Sequence, residues 1–186
     1  PLLGGLKEGA PEVRFQAAVS LAELDPQRAL APLLAAASDP DGEVREAVAA
    51  ALGLCDHPDA TSALATLVKD KRALTRFEAA CGLAERNDER AIEPLCAFLS
   101  DATLAYRALE SLEMLGNRRC ADALAQVTQR WLGPRLLKLR AAVALLTVCP
   151  THDRSGWALD FVHRNTRSRR EDLRALASES LKKLAA

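Results

Sequence analysis

The stretch that decides the fold is DPDGEVREAVAAALGLCDHPDATSALATLVKD, residues 39–70. It opens with the turn residues Asp-Pro-Asp-Gly and continues with apolar residues at helical spacing as far as Gly53. A second turn at His57-Pro58 is followed by a second apolar stripe, and Lys69-Asp70 leads into the next turn. The stretch therefore predicts two helices joined by a short turn.

The same pattern returns every 31 residues along the chain. The recurring positions are Arg14, Arg45, Arg76 and Arg107; Asp39, Asp70 and Asp101; Asp25, Asp56 and Asn87; and Pro1, Pro32 and Pro94. A fixed period of this length is typical of stacked helical repeats, in which each unit buries its apolar face against its neighbours. Aromatic residues make up only 4% of the sequence and strand formers are scarce. We predict an all-α fold, a right-handed α-α superhelix (α-solenoid) of about five to six helical hairpins.

The period also predicts where the units and helices lie. We expect one repeat array over 1–186, with units at about 11–38, 39–69, 70–100, 101–133, 134–166 and 167–186. The first helices are expected at about 11–24, 41–54, 72–85, 102–115, 134–148 and 170–185, and the second at about 27–37, 58–69, 88–100, 118–131 and 155–165. Because proline is tolerated in a helix's first turn but not in its interior, Pro32 and Pro94 predict that their helices either begin late or bend. We expect late starts, near Gln27 to Ala29 and near Glu89 to Ala91.

The beginning of the chain lies inside a repeat, because Pro-Leu-Leu at residues 1–3 matches residues 32–34 one period later. We therefore interpret the sequence as a piece of a longer array. Its N-terminal edge carries Leu2, Leu3 and Leu6 without a preceding unit, which predicts self-association through this edge.

Charge is unevenly distributed although the net charge is zero. Residues 1–93 hold 10 basic and 16 acidic residues, and residues 94–186 hold 15 basic and 9 acidic ones. The basic part indicates either a surface for an acidic partner or ordinary solvated helix faces. Five cysteines are scattered singly, which favours reduced core cysteines in a cytoplasmic protein, and no apolar run is long enough to predict a membrane span.

An aspartate six residues before an arginine, together with the phrase from Val-Arg to Leu-Gly at residues 44–53, resembles HEAT repeats. The short unit is most similar to the bacterial HEAT-like repeats named after phycobilisome bilin lyases (PBS lyase type). The resemblance covers the whole chain and weakens after Gly133. It implies a structural ladder along the turns between repeats, formed by Asp39, Asp70, Asp101, Arg14, Arg45, Arg76 and Arg107.

The sequence predicts no catalytic residue, no metal site and no cofactor. Nucleophile, nucleotide-binding and metalloprotease motifs are missing, and the three histidines stand far apart. Iron-binding relatives of the fold use His-Glu dipeptides, which this chain lacks. HEAT-like alkylpurine DNA glycosylases have Trp, Asp and Arg at their DNA site, and resemblance to them implies Trp131, Trp157, Asp160 and nearby arginines as candidates for a nucleic-acid site. Trp157 and Phe161, spaced i and i+4, nevertheless predict a pair packed in the core.

What remains is a binding surface on the second helices, which line the concave side of such arrays. We expect a non-catalytic scaffold that holds a protein segment there, with an acidic portion of that segment toward the basic end. The expected contact residues are Arg28, Thr61, Ser62, Arg90, Glu93, Arg119, Asp122, Gln126 and Arg130. Two alternatives stay open: a nucleic-acid-binding protein that uses the basic 118–174 surface, and a bilin-lyase-like or chaperone-type subunit.

Overall fold

The computed structural model describes residues 2–24, 26–130 and 132–185. Three sequence expectations fall outside them: Pro1 and Asp25 as repeat positions, and Trp131 as a nucleic-acid candidate. The described residues form helices and turns, and no strand occurs among them. Their α-helices are α1 (Leu2–Glu8), α2 (Pro11–Leu24), α3 (Pro26–Ala36), α4 (Gly42–Gly53), α5 (Pro58–Leu67), α6 (Ala73–Ala84), α7 (Ile92–Phe98), α8 (Ala105–Leu115), α9 (Ala121–Gln129), α10 (Arg135–Val148), α11 (Ser155–Asn165) and α12 (Glu171–Leu184).

These helices form the predicted hairpins. The first helices of the repeats are α2, α4, α6, α8, α10 and α12, and the second helices are α3, α5, α7, α9 and α11. Short 3₁₀ turns, Glu89–Ala91 and Arg118–Cys120, precede α7 and α9. The expected boundaries lie within a few residues of the observed ones, because turn residues and apolar spacing mark both ends of each helix.

Helix α4 shows how the sequence builds one of these helices. Asp41 is its N-cap, and one carboxylate oxygen accepts hydrogen bonds from the N–H groups of Glu43 and Val44. The predicted apolar stripe, including Val44, Val48 and Leu52, is fully buried. Burial of that stripe, rather than helix propensity alone, therefore holds α4 in place.

The two prolines behave differently. Pro94 is the third residue of α7 and lies in its first turn, as expected. Pro32 lies inside α3, which begins at Pro26, just before the expected start near Gln27 to Ala29, so the late start does not place this proline in the first turn. The reason is Pro26, which occupies the first position of α3, where a missing N–H costs nothing, so the helix begins early.

The chain forms two compact units, Pro1–Leu95 and Cys96–Ala186, hereafter the N-terminal and C-terminal units. The core of the N-terminal unit includes Leu33, Leu52, Leu64 and Phe77, which are fully buried. The core of the C-terminal unit is built in the same manner, mainly from leucine and alanine. The single array over 1–186 and its unit boundaries stay predictions.

A close approach of backbones joins α4 to α6 within the N-terminal unit. A Cβ added at Gly82 would lie 3.0 Å from the Cα of Gly53 and 3.0 Å from a methyl group of Leu64. A side chain at position 82 would push against the backbone of α4, so glycine there favours the close packing of this helix pair. None of the helices among the described residues has the length and apolarity that a membrane span needs, and the cytoplasmic location stays a prediction.

Candidate functional site

Two of the regularly spaced arginines, Arg45 and Arg14, pair with aspartates one repeat further along the chain. The Arg45 guanidinium donates from Nε to Asp70 Oδ2 at 2.7 Å and from Nη2 to Asp70 Oδ1 at 2.9 Å. Arg14 makes the same two-point contact with Asp39, at 2.7 and 2.8 Å. Each pair is 25 residues apart in sequence and half-buried or buried, so it joins successive hairpins within the N-terminal unit.

The third nitrogen of these arginines holds the preceding turn. Nη1 of Arg45 donates to the backbone oxygen of Asp39 at 2.7 Å, and Nη1 of Arg76 donates to that of Asp70 at 2.8 Å. Arg174 does the same with Ser168, also six residues earlier, at 2.9 Å. Arg174 therefore occupies the repeat position of these arginines, and Ser168 stands where the earlier repeats have aspartate. The side chain of Arg107 is exposed, and Arg107 also makes a non-covalent contact within the chain.

The aspartates of these turns serve a second purpose. Asp39, Asp70 and Asp101 each accept a hydrogen bond from the backbone N–H two residues on, at 2.8–2.9 Å. Hydrogen bonds from Arg14 and Arg45 hold the pKa values of Asp39 and Asp70 below their ordinary range, with the backbone N–H bonds as a smaller contribution. These carboxylates are therefore acceptors used within the fold, which makes them poor candidates for a general acid or base.

The turns inside the hairpins contain a similar hydrogen bond from a backbone N–H to a side chain, which the sequence pattern did not predict. His57, Asp88, Asn117 and His152 each accept the backbone N–H of the residue two positions later, through Nδ1 or a side-chain oxygen, at 2.9–3.1 Å. Two of the three histidines are therefore turn acceptors before a second helix. The signal was present in the sequence, since a side chain that can accept a hydrogen bond stands shortly before each of the second helices α5, α7, α9 and α11.

His152 has additional partners in the C-terminal unit. Its Nε2 lies 3.1 Å from Asp122 Oδ1, and its Nδ1 lies 2.9 Å from Asp153 Oδ1. The Arg154 N–H donates to the same Nδ1, which requires an unprotonated Nδ1, whereas pairing with Asp153 requires a proton there. We favour the tautomer with the proton on Nε2, because the acceptor role of Nδ1 matches that of His57 in the equivalent turn.

Two arginines at helix ends also act within the fold. Nη2 of Arg86 donates to the backbone oxygens of Leu52 and Cys55, at the end of α4. Arg130 donates to the backbone oxygen of Leu99 and to Ser100 Oγ, just beyond α7. A cation near the last carbonyl groups of a helix interacts favourably with the helix dipole. The guanidinium of Arg130, expected to contact a partner, is therefore used inside the C-terminal unit.

The other expected contact residues lie on or beside second helices and differ in exposure. In the N-terminal unit, the side chains of Arg28, Ser62, Arg90 and Glu93 are exposed and that of Thr61 is half-buried. Arg90 pairs with Asp88, whose pKa is lowered first of all by that hydrogen bond. Ser62 and Thr61 donate only to backbone oxygens one turn earlier in the chain.

In the C-terminal unit the expected contact residues Arg119, Asp122 and Gln126 are exposed. They lie on α9 or on the 3₁₀ turn before it. Asp122 reaches His152, and Arg119 is also engaged in an interaction. The exposed side of α9 is therefore polar with an acidic residue, Asp122, and the turn before it carries the basic Arg119.

An aromatic pair stands on α11. The rings of Trp157 and Phe161 stack with centroids 5.2 Å apart and planes 11° from parallel. The expected contact between them is confirmed, but the expected core position is wrong for Trp157, which is 37% exposed. The reason is the phase of the helix: Ala158 and Val162 take its buried side, and Trp157 lies on its flank.

A buried asparagine fixes the position of this pair. Asn165 has no exposed surface, donates to the Phe161 backbone oxygen at 2.7 Å, and accepts from Arg135 Nε at 3.0 Å. The Arg135 guanidinium in turn lies 6.0 Å from the centre of the Phe161 ring, within cation–π range. Arg135, the first residue of α10, therefore contacts both Asn165 and the Phe161 ring and holds the Trp157–Phe161 pair in place.

The C-terminal unit also contains two open cavities. One, of about 410 Å³, lies beside Asp101, Tyr106 and Arg130. The other, of about 680 Å³, is lined by residues of α10 and by Leu176 and Leu184 of α12, and its lining is mainly aliphatic. Neither brings together a nucleophile and a base with an orienting partner. Within residues 2–24, 26–130 and 132–185, no group of three or more His, Cys, Asp or Glu residues could hold a metal ion.

The buried cysteines have no catalytic character. Cys55, Cys120 and Cys149 are buried, and no disulfide links the cysteines of the described residues. Burial raises the pKa of Cys120 to about 11, and its thiol donates to the Asn117 backbone oxygen. A thiol with a raised pKa and no exposed surface is a poor nucleophile.

Comparisons with known proteins bear on the fold. The family model described as HEAT repeats matches residues 1–76 and 31–116. The structure of the CpcE–CpcF complex of phycocyanin lyase from Nostoc sp. PCC7120 is similar at 20% identity and a TM-score of 0.65, over 100% of this chain and 76% of that one. A designed armadillo repeat protein is similar at 16% identity and a TM-score of 0.66, over 98% of both chains. No curated protein matches the sequence.

At these identities the solved structures show the fold alone. They confirm the all-α solenoid class, and the family model confirms the HEAT repeats. What the lyase complex does belongs to that complex, since a solenoid scaffold supports many unrelated functions.

Proposed function

Because this chain belongs to the HEAT-repeat family, we propose that it is a non-catalytic interaction module that binds a protein segment on the exposed side of its second helices. HEAT-repeat solenoids of this kind commonly serve as scaffolds for partners. The family alone does not name the partner, so the proposal depends on which side chains the fold leaves available.

One observation supports the proposal most strongly: several charged groups of the first helices and of the turns bond to neighbouring repeats, whereas exposed polar side chains of the second helix α5 bond only within their own helix. Arg45, Asp70 and Arg86 bond to neighbouring repeats. Arg140 of α10 likewise reaches Glu110 and Glu113 of α8, at 3.1 and 2.7 Å. These contacts stabilise the stacking of hairpins.

The second helices have a different surface. In the N-terminal unit, Ser62 and Thr66 of α5 are exposed and bond only to backbone oxygens of their own helix. In the C-terminal unit, Asp122 and Gln126 of α9 are exposed. Small or polar side chains of this kind let the backbone of a bound segment approach closely and still find hydrogen-bond partners.

A pull-down with matched variants tests the proposal. Ser62→Arg places a bulky cation on the exposed side of α5, and Ala50→Arg places one on the exposed side of α4, a first helix. Tagged wild type and both variants are incubated with extract of the native cells, with and without nuclease, and bound proteins are quantified by mass spectrometry. We expect a protein partner that survives nuclease, is retained by Ala50→Arg and is lost with Ser62→Arg. Recovery that depends on nucleic acid, or equal retention by both variants, contradicts the proposal.

A further inference from the structure

Helix α11 presents a preorganised apolar surface in a basic environment. Trp157 is 37% exposed and stacks on Phe161, which is held by Asn165 and by the guanidinium of Arg135. The stack and the cation over the ring restrict both rings before any partner arrives. An exposed aromatic that is already held in place loses little conformational entropy on binding, which is why such residues are frequent anchors in interfaces.

The charge around this pair has one predominant sign. Residues 151–170 contain five arginines and two aspartates. All five arginines, Arg154, Arg164, Arg167, Arg169 and Arg170, are exposed. Arg164 lies two turns after Trp157 on the same side of α11 and donates only through Nε, to the Asp160 backbone oxygen at 3.2 Å. Its two terminal nitrogens are therefore available to a carboxylate.

From these observations we infer that the Trp157–Phe161 pair, with Arg135 and Arg164 beside it, is the docking site for an acidic protein segment that carries an apolar anchor. The anchor packs against the exposed part of the Trp157 indole, and carboxylates next to it pair with Arg164. This inference rests on the proposed function and specifies the chemistry of the partner.

Two features favour a protein segment over single-stranded nucleic acid. Stacking of bases needs free aromatic faces, but the Phe161 ring has the indole against it and a guanidinium over it. The Asp160 side chain is exposed one turn from Trp157, and its carboxylate repels phosphates. A protein segment of mixed composition tolerates this aspartate, because a backbone N–H or a lysine of the segment can meet it.

The experiment uses a random peptide library displayed on phage, selected against the whole chain. We expect the enriched peptides to combine aspartate or glutamate with leucine, phenylalanine or tryptophan. Affinity of one enriched peptide is then measured by fluorescence anisotropy. Trp157→Ala and Arg164→Glu should each lower it at least about tenfold, as expected for an anchor residue. Affinity should also fall as salt rises.

The matched control is Leu159→Ala, on the same helix. Leu159 is 38% exposed but lies away from the Trp157 side of α11. We expect this variant to bind as the wild type does. Circular dichroism of all variants checks that the helices remain intact.

Several outcomes overturn the inference. They are no enrichment, enrichment of basic peptides, equal loss from Trp157→Ala and Leu159→Ala, and a single-stranded oligothymidylate that competes with the peptide. A partner that is captured through α5 but does not depend on Trp157 leaves the proposed function intact and removes only this site.

Discussion

Arg45 and Asp70 lie 25 residues apart in sequence and form a two-point contact, with Nε and Nη2 of the guanidinium on the two carboxylate oxygens at 2.7 and 2.9 Å. The same guanidinium holds the backbone oxygens of Asp39 and Pro40 in the turn before α4. Arg45 is only 6% exposed. Its guanidinium therefore connects the turn before α4 to the Asp70 carboxylate in the turn before α6. The repeat period in the sequence therefore reflects a structural connection.

Truncation of this arginine is expected to destabilise the chain. Arg45→Ala leaves Asp70 and two turn carbonyls without their donors, which we expect to lower the free energy of unfolding by about 2–4 kcal/mol. Arg45→Lys keeps the charge but not the two-point geometry, and should lose less. Urea unfolding measures both, with the exposed Arg118→Ala as a control that stays within about 0.5 kcal/mol of wild type. If Arg45→Ala unfolds like the control, the contact has no structural role.

The lowered pKa of Asp70 predicts a share of the acid sensitivity of the fold. Its ordinary value is 3.8, and the hydrogen bonds from Arg45 lower it in the folded chain. The unfolded chain therefore binds the proton first, so the stabilisation is fully present above 3.8 and is lost as the pH falls through the folded pKa.

Asp70→Asn removes that titration. We expect its free energy of unfolding to be lower than that of wild type at neutral pH and to fall less steeply with acid between about pH 5 and pH 2. Asp39 keeps its own lowered pKa, so some slope remains. Parallel pH curves for the two proteins would show that Asp70 titrates alike in the folded and unfolded states.

The contact between α4 and α6 predicts opposite effects for two glycine substitutions. Gly82→Ala brings a Cβ to 3.0 Å from the Cα of Gly53, and backbone cannot easily give way, so we expect a net loss of about 1 kcal/mol. Gly53→Ala meets its nearest atom at 3.6 Å, an ordinary contact, and should gain up to about 1 kcal/mol from helix propensity. Thermal unfolding of the pair measures the difference. Equal midpoints would contradict the close packing.

His57 is expected to be replaceable by asparagine. Its Nδ1 accepts the Asp59 N–H at 3.1 Å, as the Asn117 oxygen accepts the Arg119 N–H. His57→Asn should keep wild-type stability, and His57→Ala should lose about 1 kcal/mol, the usual value of an N-cap. Urea unfolding midpoints decide between them. A loss of equal size in both variants would assign His57 a role other than turn acceptor.

The fold could be predicted from the sequence because a repeat states the same information several times. A turn signal or an apolar stripe that is ambiguous in one repeat occurs again one period later. This repetition located the helices from α2 to α12 within a few residues. The position of Pro32 within α3 was predicted wrongly because Pro26, earlier in the chain, determines where α3 begins.

The surface was harder to predict than the core. Sequence spacing correctly paired Trp157 with Phe161, but whether a residue on the flank of a helix is buried depends on what packs beside it. Arg130 was expected to face a partner, and only the three-dimensional structure shows its bonds to Leu99 and Ser100. The sequence position of a single residue on a helix face does not show which groups its side chain bonds to.

The central claim is that a protein segment occupies the second helices while the first helices serve the scaffold. Photo-crosslinking in native cells tests it directly, with benzoylphenylalanine placed at Thr66 of α5 or Gln126 of α9, and at Ala50 of α4 as the control, all three being exposed. The account predicts one discrete, nuclease-resistant protein adduct from Thr66 or Gln126 and none from Ala50. Adducts of equal yield from all three positions, or adducts to nucleic acid, would contradict it.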